Sequence, residues 1–458
     1  MAFEGLMVSV SGVRGRVGEA LTPEVVSQFA SAFAAFSLGR GVSRAIVLGR
    51  DSRVSGPMFH HAVTAALQSV GADIIDIGMA PTPTVQMAVE HHHATGGLAI
   101  TASHNPVEWN ALKFIGPAGL FLDGAESLAM RSFLDRPIPR ATWDALGTVR
   151  QDTEAITRHI DAILALSVLD VPAIRSRRFV VALDTCHGAG VTIMPPLLEQ
   201  LGCVVHAINL ESHGRFHRSP EPVAENLGEL EDLVKKSGAA VGFATDPDVD
   251  RLALVDESGQ AIGEDWTLAL AAQVVLKRTP GVVVTNLSTS RILDDVAARS
   301  GSRVVRAPVG EVNVAVRMRS EHAVIGGEGN GGVILPDLHL GRDAPLAVAL
   351  TLQLLHDHGT LSAVTRSFPR YRIVKDKLDR PDVSLDSVYA ALRGAFSDAE
   401  VDVQDGLRLS WPDRWVHIRP SGTEPIVRVI AEAPSEAEAQ ALVRKSRAPL
   451  EALAESSL

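Results

Sequence analysis

Short β-branched runs alternate with segments of helical period along most of this 458-residue chain. Such alternation is typical of α/β units, in which helices cover parallel or mixed sheets. At roughly 150 residues per domain, the length indicates about three domains, each with room for a sizeable core. We therefore expect a folded protein of several α/β domains rather than one small binding module.

Four of the expected strands end in loops rich in polar residues. These strands are residues 45–48 before GRDSR, 97–101 before ASHNP, 239–244 before TDPDVDR, and 323–325 before GGEGNGG. In open α/β sheets, ligands bind beyond the carboxyl ends of the strands. We expect the functional residues in these loops.

Breaks in the pattern indicate where the domains end. Residues 135–153 show neither strand nor helix period, a turn follows the strand at 251–255, and the composition changes after the apolar helix at 344–358. We predict α/β domains at 1–150, 151–255 and 256–365, followed by an α+β domain at 366–458.

Charge and composition exclude several classes of partner. The net charge is −11, so we expect no general attraction to nucleic acid or to an acidic membrane surface. Aromatic residues make up only 4%, too few for the stacking platforms that bind single-stranded nucleic acid. An anionic ligand must therefore be held by a local basic site.

The cysteine content and the absence of long apolar runs bear on the compartment. The chain has two cysteines, Cys186 and Cys203, too few for a disulfide framework. The N-terminal residues lack a basic region followed by an apolar run, and no uncharged apolar stretch of about 18 residues occurs. We expect a soluble protein of the cytoplasm.

The acidic loop DPDVDR carries Asp246, Asp248 and Asp250 at alternate positions. In an extended loop this spacing directs three carboxylates toward one point, which suits a hard cation such as Mg²⁺. A solvated acidic turn is the alternative. An EF-hand is excluded because Arg251 stands where that loop needs glycine and strands flank the motif.

The loop TASHNP places Ser103 at the mouth of a strand, where it is either a nucleophile or a turn residue. No GxSxG elbow occurs and no partners of a hydrolase triad can be identified. Lys113 on the next strand is either an ordinary exposed lysine or a proton carrier with a lowered pKa.

The glycine-rich loop at 326–332 contains the string G-x-G-x-x-G, but Pro336 and a turn stand where a dinucleotide-binding helix would start. We instead expect Glu328 and Asn330 to hydrogen-bond the hydroxyls of a sugar, or the loop to be a simple connector.

The loop RPSGTEP near the C-terminus combines a guanidinium, two hydroxyls and a glycine amide. Arg419, Ser421, Gly422 and Thr423, with Arg428 nearby, could cradle a phosphate. No GxxxxGK[ST] string occurs, so nucleotide hydrolysis by a P-loop is not supported.

TASHNP, DPDVDR, GGEGNG and RPSGTEP occur in this order, about one per domain, after SGVRG near the N-terminus. Together they resemble the α-D-phosphohexomutase family over nearly the whole chain. The resemblance implies three related α/β domains with mixed sheets and a C-terminal domain similar to the TATA-binding-protein fold, arranged around a central cleft.

The resemblance also implies a role for each motif. Ser103 would be a phosphoserine, and Asp246, Asp248 and Asp250 would hold Mg²⁺ together with it. His104 would orient the serine, and Arg14 and Lys113 would serve in proton transfer and phosphate contact. The positions implied to bind substrate are Arg251, Glu328, Asn330, Arg419, Ser421, Gly422, Thr423 and Arg428.

The implied reaction is phosphoryl transfer between O6 and O1 of a hexose phosphate through a 1,6-bisphosphate. Asn330 stands where the bacterial phosphomannomutase/phosphoglucomutase branch has serine, as in a group assigned to phosphoglucosamine mutase. We therefore favour glucosamine 6-phosphate and glucosamine 1-phosphate, with mannose or glucose phosphates as the alternative. The metal loop also departs from the glycine-rich DGDGDR type.

Two other classes of function remain open. A metal-dependent sugar phosphatase would use Ser103 and the aspartates without needing the distant phosphate loop. An inactive sugar-phosphate sensor would keep Glu328 and Arg419 and dispense with Ser103. We expect a small-molecule sugar phosphate as partner and a monomer or homodimer.

Overall fold

The computed structural model describes residues 5–9, 12–380, 384–421 and 426–455, which form four sheets. We call the units built on these sheets the first to fourth domains. Among the described residues, no helix combines the length and apolar character needed to cross a bilayer.

The first domain has a mixed seven-stranded sheet in the order β1-β2-β6-β5-β3-β4-β7. Its strands are β1 (Met7–Ser9), β2 (Gly12–Arg16), β3 (Ala45–Arg50), β4 (Asp73–Met79), β5 (Gly96–Ile100), β6 (Trp109–Ile115) and β7 (Val149–Gln151). Its helices are α1 (Pro23–Leu38), α2 (Gly56–Val70), α3 (Thr82–His91) and α4 (Gly124–Arg131), with a 3-10 turn at Ser132–Asp135.

The second domain has a four-stranded sheet in the order β11-β10-β8-β9. Its strands are β8 (Val180–Asp184), β9 (Val204–Ile208), β10 (Val241–Thr245) and β11 (Leu252–Val255). Its helices are α5 (Ala155–Leu164), α6 (Val171–Arg177), α7 (Gly190–Gln200) and α8 (Gly228–Ser237), with a 3-10 turn at Ala224–Asn226.

The third domain repeats this pattern in the order β13-β12-β14-β15. Its strands are β12 (Val282–Asn286), β13 (Arg303–Ala307), β14 (Ile325–Glu328) and β15 (Gly332–Ile334). Its helices are α9 (Asp265–Arg278), α10 (Ile292–Arg299), α11 (Glu311–Glu321), α12 (Ala344–His358) and α13 (Leu361–Arg366).

The first three domains share one four-stranded arrangement. In each, three parallel strands are followed by an antiparallel strand: β6 beside β5, β11 beside β10, and β15 beside β14. The strand before each antiparallel partner carries one of the predicted loops at its carboxyl end. The expectation of three related α/β domains with mixed sheets is confirmed.

The fourth domain is α+β, as expected from its sequence pattern. Its antiparallel sheet runs β16-β20-β19-β18-β17, and α14 and α15 contribute to a separate apolar core. Its elements are β16 (Arg372–Asp379), α14 (Asp386–Ala395), β17 (Glu400–Asp402), β18 (Leu407–Ser410), β19 (Trp415–Pro420), β20 (Ile426–Ala433) and α15 (Glu436–Glu455).

Packing joins the second and third domains. Their largest apolar cluster is shared and includes α9 and α12, whose apolar side chains are almost all buried. The predicted domain limits at 150, 255 and 365 stay predictions.

Two sequence expectations about strands are wrong. Residues 135–153 contain β7, which pairs in parallel with β4 at the sheet edge. Its three residues are exposed, so no apolar period marks it in the sequence. The strand expected at 323–325 instead runs from Ile325 to Glu328. The strand continues through Gly327 because glycine lets β14 and β15 approach closely. A Cβ at Gly327 would lie 2.0 Å from the carbonyl oxygen of Gly332.

Candidate functional site

Ser103 lies in the loop after β5 and is buried. Its Oγ donates a hydrogen bond of 2.8 Å to Oδ2 of Asp246, and Nδ1 of His104 lies 3.3 Å away. The backbone of Ser103 has a φ of 48°, in the left-handed region that a non-glycine residue seldom adopts. The loop therefore holds the hydroxyl against the metal loop of the neighbouring domain.

Arg53 stabilises this loop conformation, although the sequence pattern did not identify it as a functional residue. Its buried guanidinium donates to the carbonyl oxygens of Ser103, Asn105, Pro106 and Trp109 at 2.6–2.8 Å. Asp51 in turn accepts hydrogen bonds from Arg53 and from the Thr101 hydroxyl. The only sequence signal was the polar loop GRDSR at the end of a strand parallel to β5.

The three aspartates follow β10 and are almost completely buried. One carboxylate oxygen from each of Asp246, Asp248 and Asp250 lies within 4.8 Å of the other two. Val249 between them has a φ of 65°, so a β-branched residue occupies the left-handed region here. The departure from a glycine-rich loop has thus not separated the carboxylates.

These residues fit a divalent cation. Oδ1 of Asp248 and Oδ1 of Asp250 are buried and have no hydrogen-bond partner within the described part of the chain. Burial and the charges of Asp248 and Asp250 raise the pKa of Asp246 well above its ordinary value. Three crowded carboxylates with free oxygens are the donor set that a hard cation takes.

Lys113 on β6 reaches across to the same loop. Its Nζ donates 2.6 Å to Oδ2 of Asp248 and lies 3.6 Å from Oδ2 of Asp250. Burial alone would lower its pKa, but these two carboxylates outweigh that effect and the pKa of Lys113 is raised. The lysine is therefore buried and not exposed, and its pKa is raised where the sequence analysis expected a proton carrier to have a lowered one; its role in proton transfer stays a prediction.

Arg14, His104 and Arg251 lie together beside Ser103. Arg14 donates to Oδ1 of Asn105 at 3.1 Å, and the amide of Arg251 donates to Asp246. The charge of Arg251, then burial, then Arg14 hold the pKa of His104 well below its usual range. The imidazole is neutral at neutral pH, in a setting rich in positive charge.

Arg342, also missed from the sequence, links the metal loop to the glycine-rich loop. Its guanidinium donates to Asp250 at 2.5 Å, to Glu311 at 3.0 Å and to Glu328 at 2.8 Å. Burial alone would raise the pKa of Glu328, but Arg342 and Asn286 hold it below its ordinary value. No periodicity or spacing in the sequence singles out an arginine in this turn.

Glu328 and Asn330 lie where β14 ends. Glu328 accepts hydrogen bonds from Asn286, from the amide of Gly310 and from Arg342, so a sugar would have to replace at least one of these. Asn330 is half-buried, and its Oδ1 accepts only a 3.3 Å bond from the Gly332 amide. The turn expected after this loop is present, which agrees with the rejection of a dinucleotide site.

The phosphate loop follows β19. Arg419 and Arg428 lie directly opposite each other on β19 and β20, and Ser421 is buried. Arg419 pairs with Asp405 at 2.9 Å, and Asp405 also accepts from the amide of Val309, one residue before the Gly310 amide that contacts Glu328. Gly422 and Thr423 lie outside the described residues.

The domains of one known family match most of the chain. The four phosphoglucomutase/phosphomannomutase domains match in order: α/β/α domain I at residues 6–136, domain II at 157–259, domain III at 263–371, and the C-terminal domain at 374–448. Together these matches cover most of the chain.

Individual relatives agree. The chain is 39% identical to a phosphoglucomutase/phosphomannomutase of Thermococcus kodakarensis, over 95% of this chain and 96% of the relative. It is 36% identical to a probable phosphoglucosamine mutase of Methanopyrus kandleri, over 96% of each. A crystal structure of a phosphoglucomutase/phosphomannomutase family protein from Burkholderia thailandensis superposes with a TM-score of 0.84 at 26% identity, over 99% of each chain. The chain therefore belongs to the phosphoglucomutase/phosphomannomutase family of the α-D-phosphohexomutases, and it is an enzyme of the mutase class of isomerases.

Proposed function

We propose that this enzyme moves a phosphoryl group between O6 and O1 of a hexose phosphate, through a phosphorylated Ser103 and a 1,6-bisphosphate intermediate. The favoured pair is glucosamine 6-phosphate and glucosamine 1-phosphate. The observation that carries this proposal is the 2.8 Å contact of Ser103 Oγ with Asp246, beside Asp248 and Asp250, each of which has one buried oxygen without a hydrogen-bond partner among the described residues.

Asp246, Asp248, Asp250 and the Ser103 group would hold Mg²⁺. When bound, the ion offsets charge on the transferring phosphoryl group. Lys113, paired with Asp248, and Arg342, paired with Asp250, balance part of the negative charge of this loop.

The residues of the chain orient the reacting groups and transfer the protons. In the first step, the substrate hydroxyl oxygen bonds to phosphorus as the bond between phosphorus and Ser103 Oγ breaks, and the hydroxyl proton is passed on to Oγ. In the return step, Ser103 Oγ bonds to the other phosphorus of the bisphosphate as the bond between that phosphorus and its sugar oxygen breaks, and the serine proton is passed on to that sugar oxygen. His104, whose Nδ1 lies 3.3 Å from Oγ, would orient the serine, and Arg14 and Lys113 would take part in the proton transfer.

Arg251 and Arg14 lie beside the serine and would contact the transferring phosphoryl group, whose equatorial oxygens carry the charge. Arg419, Ser421 and Arg428, with Gly422 and Thr423 of the same sequence loop, would bind the phosphate that is not reacting. Because either phosphate must fit that loop, the sugar has to be accepted in two orientations.

The identity of the sugar is the finer part of the proposal. Asn330 supports glucosamine phosphates, as does the name of the relative from Methanopyrus kandleri. The Thermococcus kodakarensis relative favours glucose and mannose phosphates as the second candidate. We also propose a cytoplasmic location, since Cys186 and Cys203 are both free thiols, as a reducing compartment requires.

The test is a competition assay of the phosphorylated enzyme, with catalytic bisphosphate and Mg²⁺, on the 1-phosphates of glucosamine, glucose and mannose. We expect the highest kcat/KM for glucosamine 1-phosphate and no turnover by Ser103→Ala. The matched control is Ser132→Ala, which should keep full activity. Ser132 is exposed, and its hydroxyl donates a hydrogen bond to the carbonyl oxygen of Ala129. Near-normal turnover by Ser103→Ala would overturn the mechanism, and release of free phosphate without isomer formation would favour the phosphatase.

A further inference from the structure

Three histidines that the proposed reaction does not use lie together in the second domain. His187 is in the loop after β8, and His213 and His217 are in the loop after β9. One ring nitrogen from each lies within 4.8 Å of the other two. The ring centroid of His187 is 4.1 Å from that of His213 and 4.8 Å from that of His217.

His187 already has the form of a metal ligand. Its Nδ1 lies 2.9 Å from the carbonyl oxygen of Glu211, which can only accept, so Nδ1 carries the proton and Nε2 carries the lone pair. The residue is only 5% exposed, yet its Nε2 has no hydrogen-bond partner among the residues that the structure describes. A buried lone pair without a partner is costly unless a ligand takes it.

The other two rings are accessible from solvent. Nδ1 of His213 accepts a 3.1 Å hydrogen bond from the amide of Arg215, which occupies the lone pair of this nitrogen, so zinc would have to displace that bond. Nε2 of His213 lies 3.6 Å from the carboxylate of Glu211. An imidazole that faces a carboxylate or carbonyl through its second nitrogen is the usual arrangement around bound zinc. His217 is exposed and can turn to complete the set.

We propose that His187, His213 and His217 bind one zinc ion, with water in the fourth position. Three neutral imidazoles suit Zn²⁺ and do not suit Mg²⁺, which prefers oxygen ligands. This site shares no residue with the aspartate loop or with the positions proposed to bind substrate.

Its place in the fold gives the zinc a structural role. The Ser52 hydroxyl donates 2.6 Å to the carbonyl oxygen of His187, and Phe216 lies under the guanidinium of Arg53 at 5.0 Å. Gly214 packs so closely on Ser52 that a Cβ would lie 2.1 Å from the Ser52 carbonyl oxygen. Zinc would therefore fasten residues 211–218 over the segment that holds the Ser103 loop.

The test is a zinc titration of the full chain against a competing chromophoric chelator, with saturating Mg²⁺ to occupy the aspartate loop. We expect one zinc per chain for the wild type and an affinity at least about tenfold weaker for His213→Ala/His217→Ala. Both side chains are exposed, so this variant should fold. The matched control is His61→Ala/His358→Ala, which removes two exposed histidines elsewhere and should bind zinc like the wild type.

Two further readouts decide between sites. X-ray absorption of the zinc-loaded wild type should show imidazole nitrogen ligands, and zinc should raise the Tm of the wild type and of the control but not of the double variant. Equal zinc affinity of wild type and double variant would overturn the proposal. So would zinc binding that Mg²⁺ abolishes, because that ion would occupy the aspartate loop.

Discussion

Arg53 donates a 2.6 Å hydrogen bond to the carbonyl oxygen of Ser103 from a position with no exposed surface. The guanidinium also donates hydrogen bonds to three further carbonyl oxygens of the same loop. These bonds satisfy carbonyl groups that a helix or strand would otherwise pair, and so they stabilise the loop. Since Ser103 has a left-handed backbone, the position of its hydroxyl depends on this support.

Arg53→Lys is therefore expected to reduce kcat by about 100-fold with little change in KM, because it displaces the serine without touching the substrate. Lysine offers a single ammonium group in place of the planar fork. Steady-state kinetics checks the rate, and amide hydrogen exchange of residues 101–106 should increase. Arg40→Lys, which changes a surface pair with Glu126, is the control and should leave both unchanged.

Arg342 is the residue whose loss should destabilise the site most. Asp250, Glu311 and Glu328 would be left as buried carboxylates without their shared cation. Breaking a buried pair typically costs about 3–5 kcal/mol, so Arg342→Met should lower Tm markedly and abolish activity.

The control for Arg342→Met is Arg303→Met, which removes an exposed pair with Glu321. Exposed pairs contribute about 1 kcal/mol or less, so its Tm should stay close to that of the wild type. Similar thermal shifts in the two variants would contradict the view that Arg342 is the central counter-charge.

The sequence predicted the loops that carry Ser103, Asp246 and Glu328 because each one follows a strand of an α/β sheet, and ligands bind beyond the carboxyl ends of such strands. It could not identify Arg53 or Arg342, since both act through tertiary contacts with residues distant in the chain. Arg53 binds a loop about 50 residues away, and Arg342 binds Asp250, which is 92 positions earlier. No local period or motif encodes such a partner.

Val249 illustrates the opposite case, in which the sequence raised a doubt that the structure answers. A valine in place of glycine argues against the left-handed turn, because its branched Cβ crowds that conformation. Surrounding contacts stabilise the turn. The side chain of Val249 is fully buried, and the backbone carbonyl oxygen of Val249 accepts a hydrogen bond from the amide of Ala344. Local propensity alone could not have predicted this outcome.

Removing divalent cations should destabilise the aspartate loop. The proposed Mg²⁺ would bind the folded state and not the unfolded chain, so a concentration 100 times its Kd would stabilise the fold by about 2.7 kcal/mol. We expect Tm to rise with added Mg²⁺ for the wild type, to fall with a chelator, and to depend much less on Mg²⁺ in Asp250→Asn.

The readout for the magnesium prediction is the Mg²⁺-dependent increment in Tm, since Asp250→Asn also weakens the pair with Arg342. Glu231→Gln, in helix α8 away from the loop, is the control and should keep the full increment. An unchanged increment in Asp250→Asn would show that the ion binds elsewhere.

His417 predicts an acid-sensitive contact between the third and fourth domains. Its Nε2 lies 2.6 Å from the carbonyl oxygen of Asp405, and its Nδ1 lies 2.9 Å from the hydroxyl of Ser288. The carbonyl only accepts, so Nε2 carries the proton and Nδ1 accepts from Ser288. Burial, reinforced by Arg419 and Arg408, lowers the pKa of His417 to about 4.

The ordinary pKa of histidine is about 6.5, so between pH 6.5 and 4 the unfolded chain binds a proton at this residue that the folded chain does not. The contribution is complete above pH 6.5 and is lost as the pH falls, by up to about 1.4 kcal/mol per unit. His417→Gln removes the titration, so the stability gap between wild type and variant should narrow by about 3 kcal/mol from pH 7 to pH 4. Urea unfolding across this range measures the gap. His61→Gln, at an exposed site, should follow the wild type throughout, and a gap for His417→Gln that stays constant with pH would contradict the assignment.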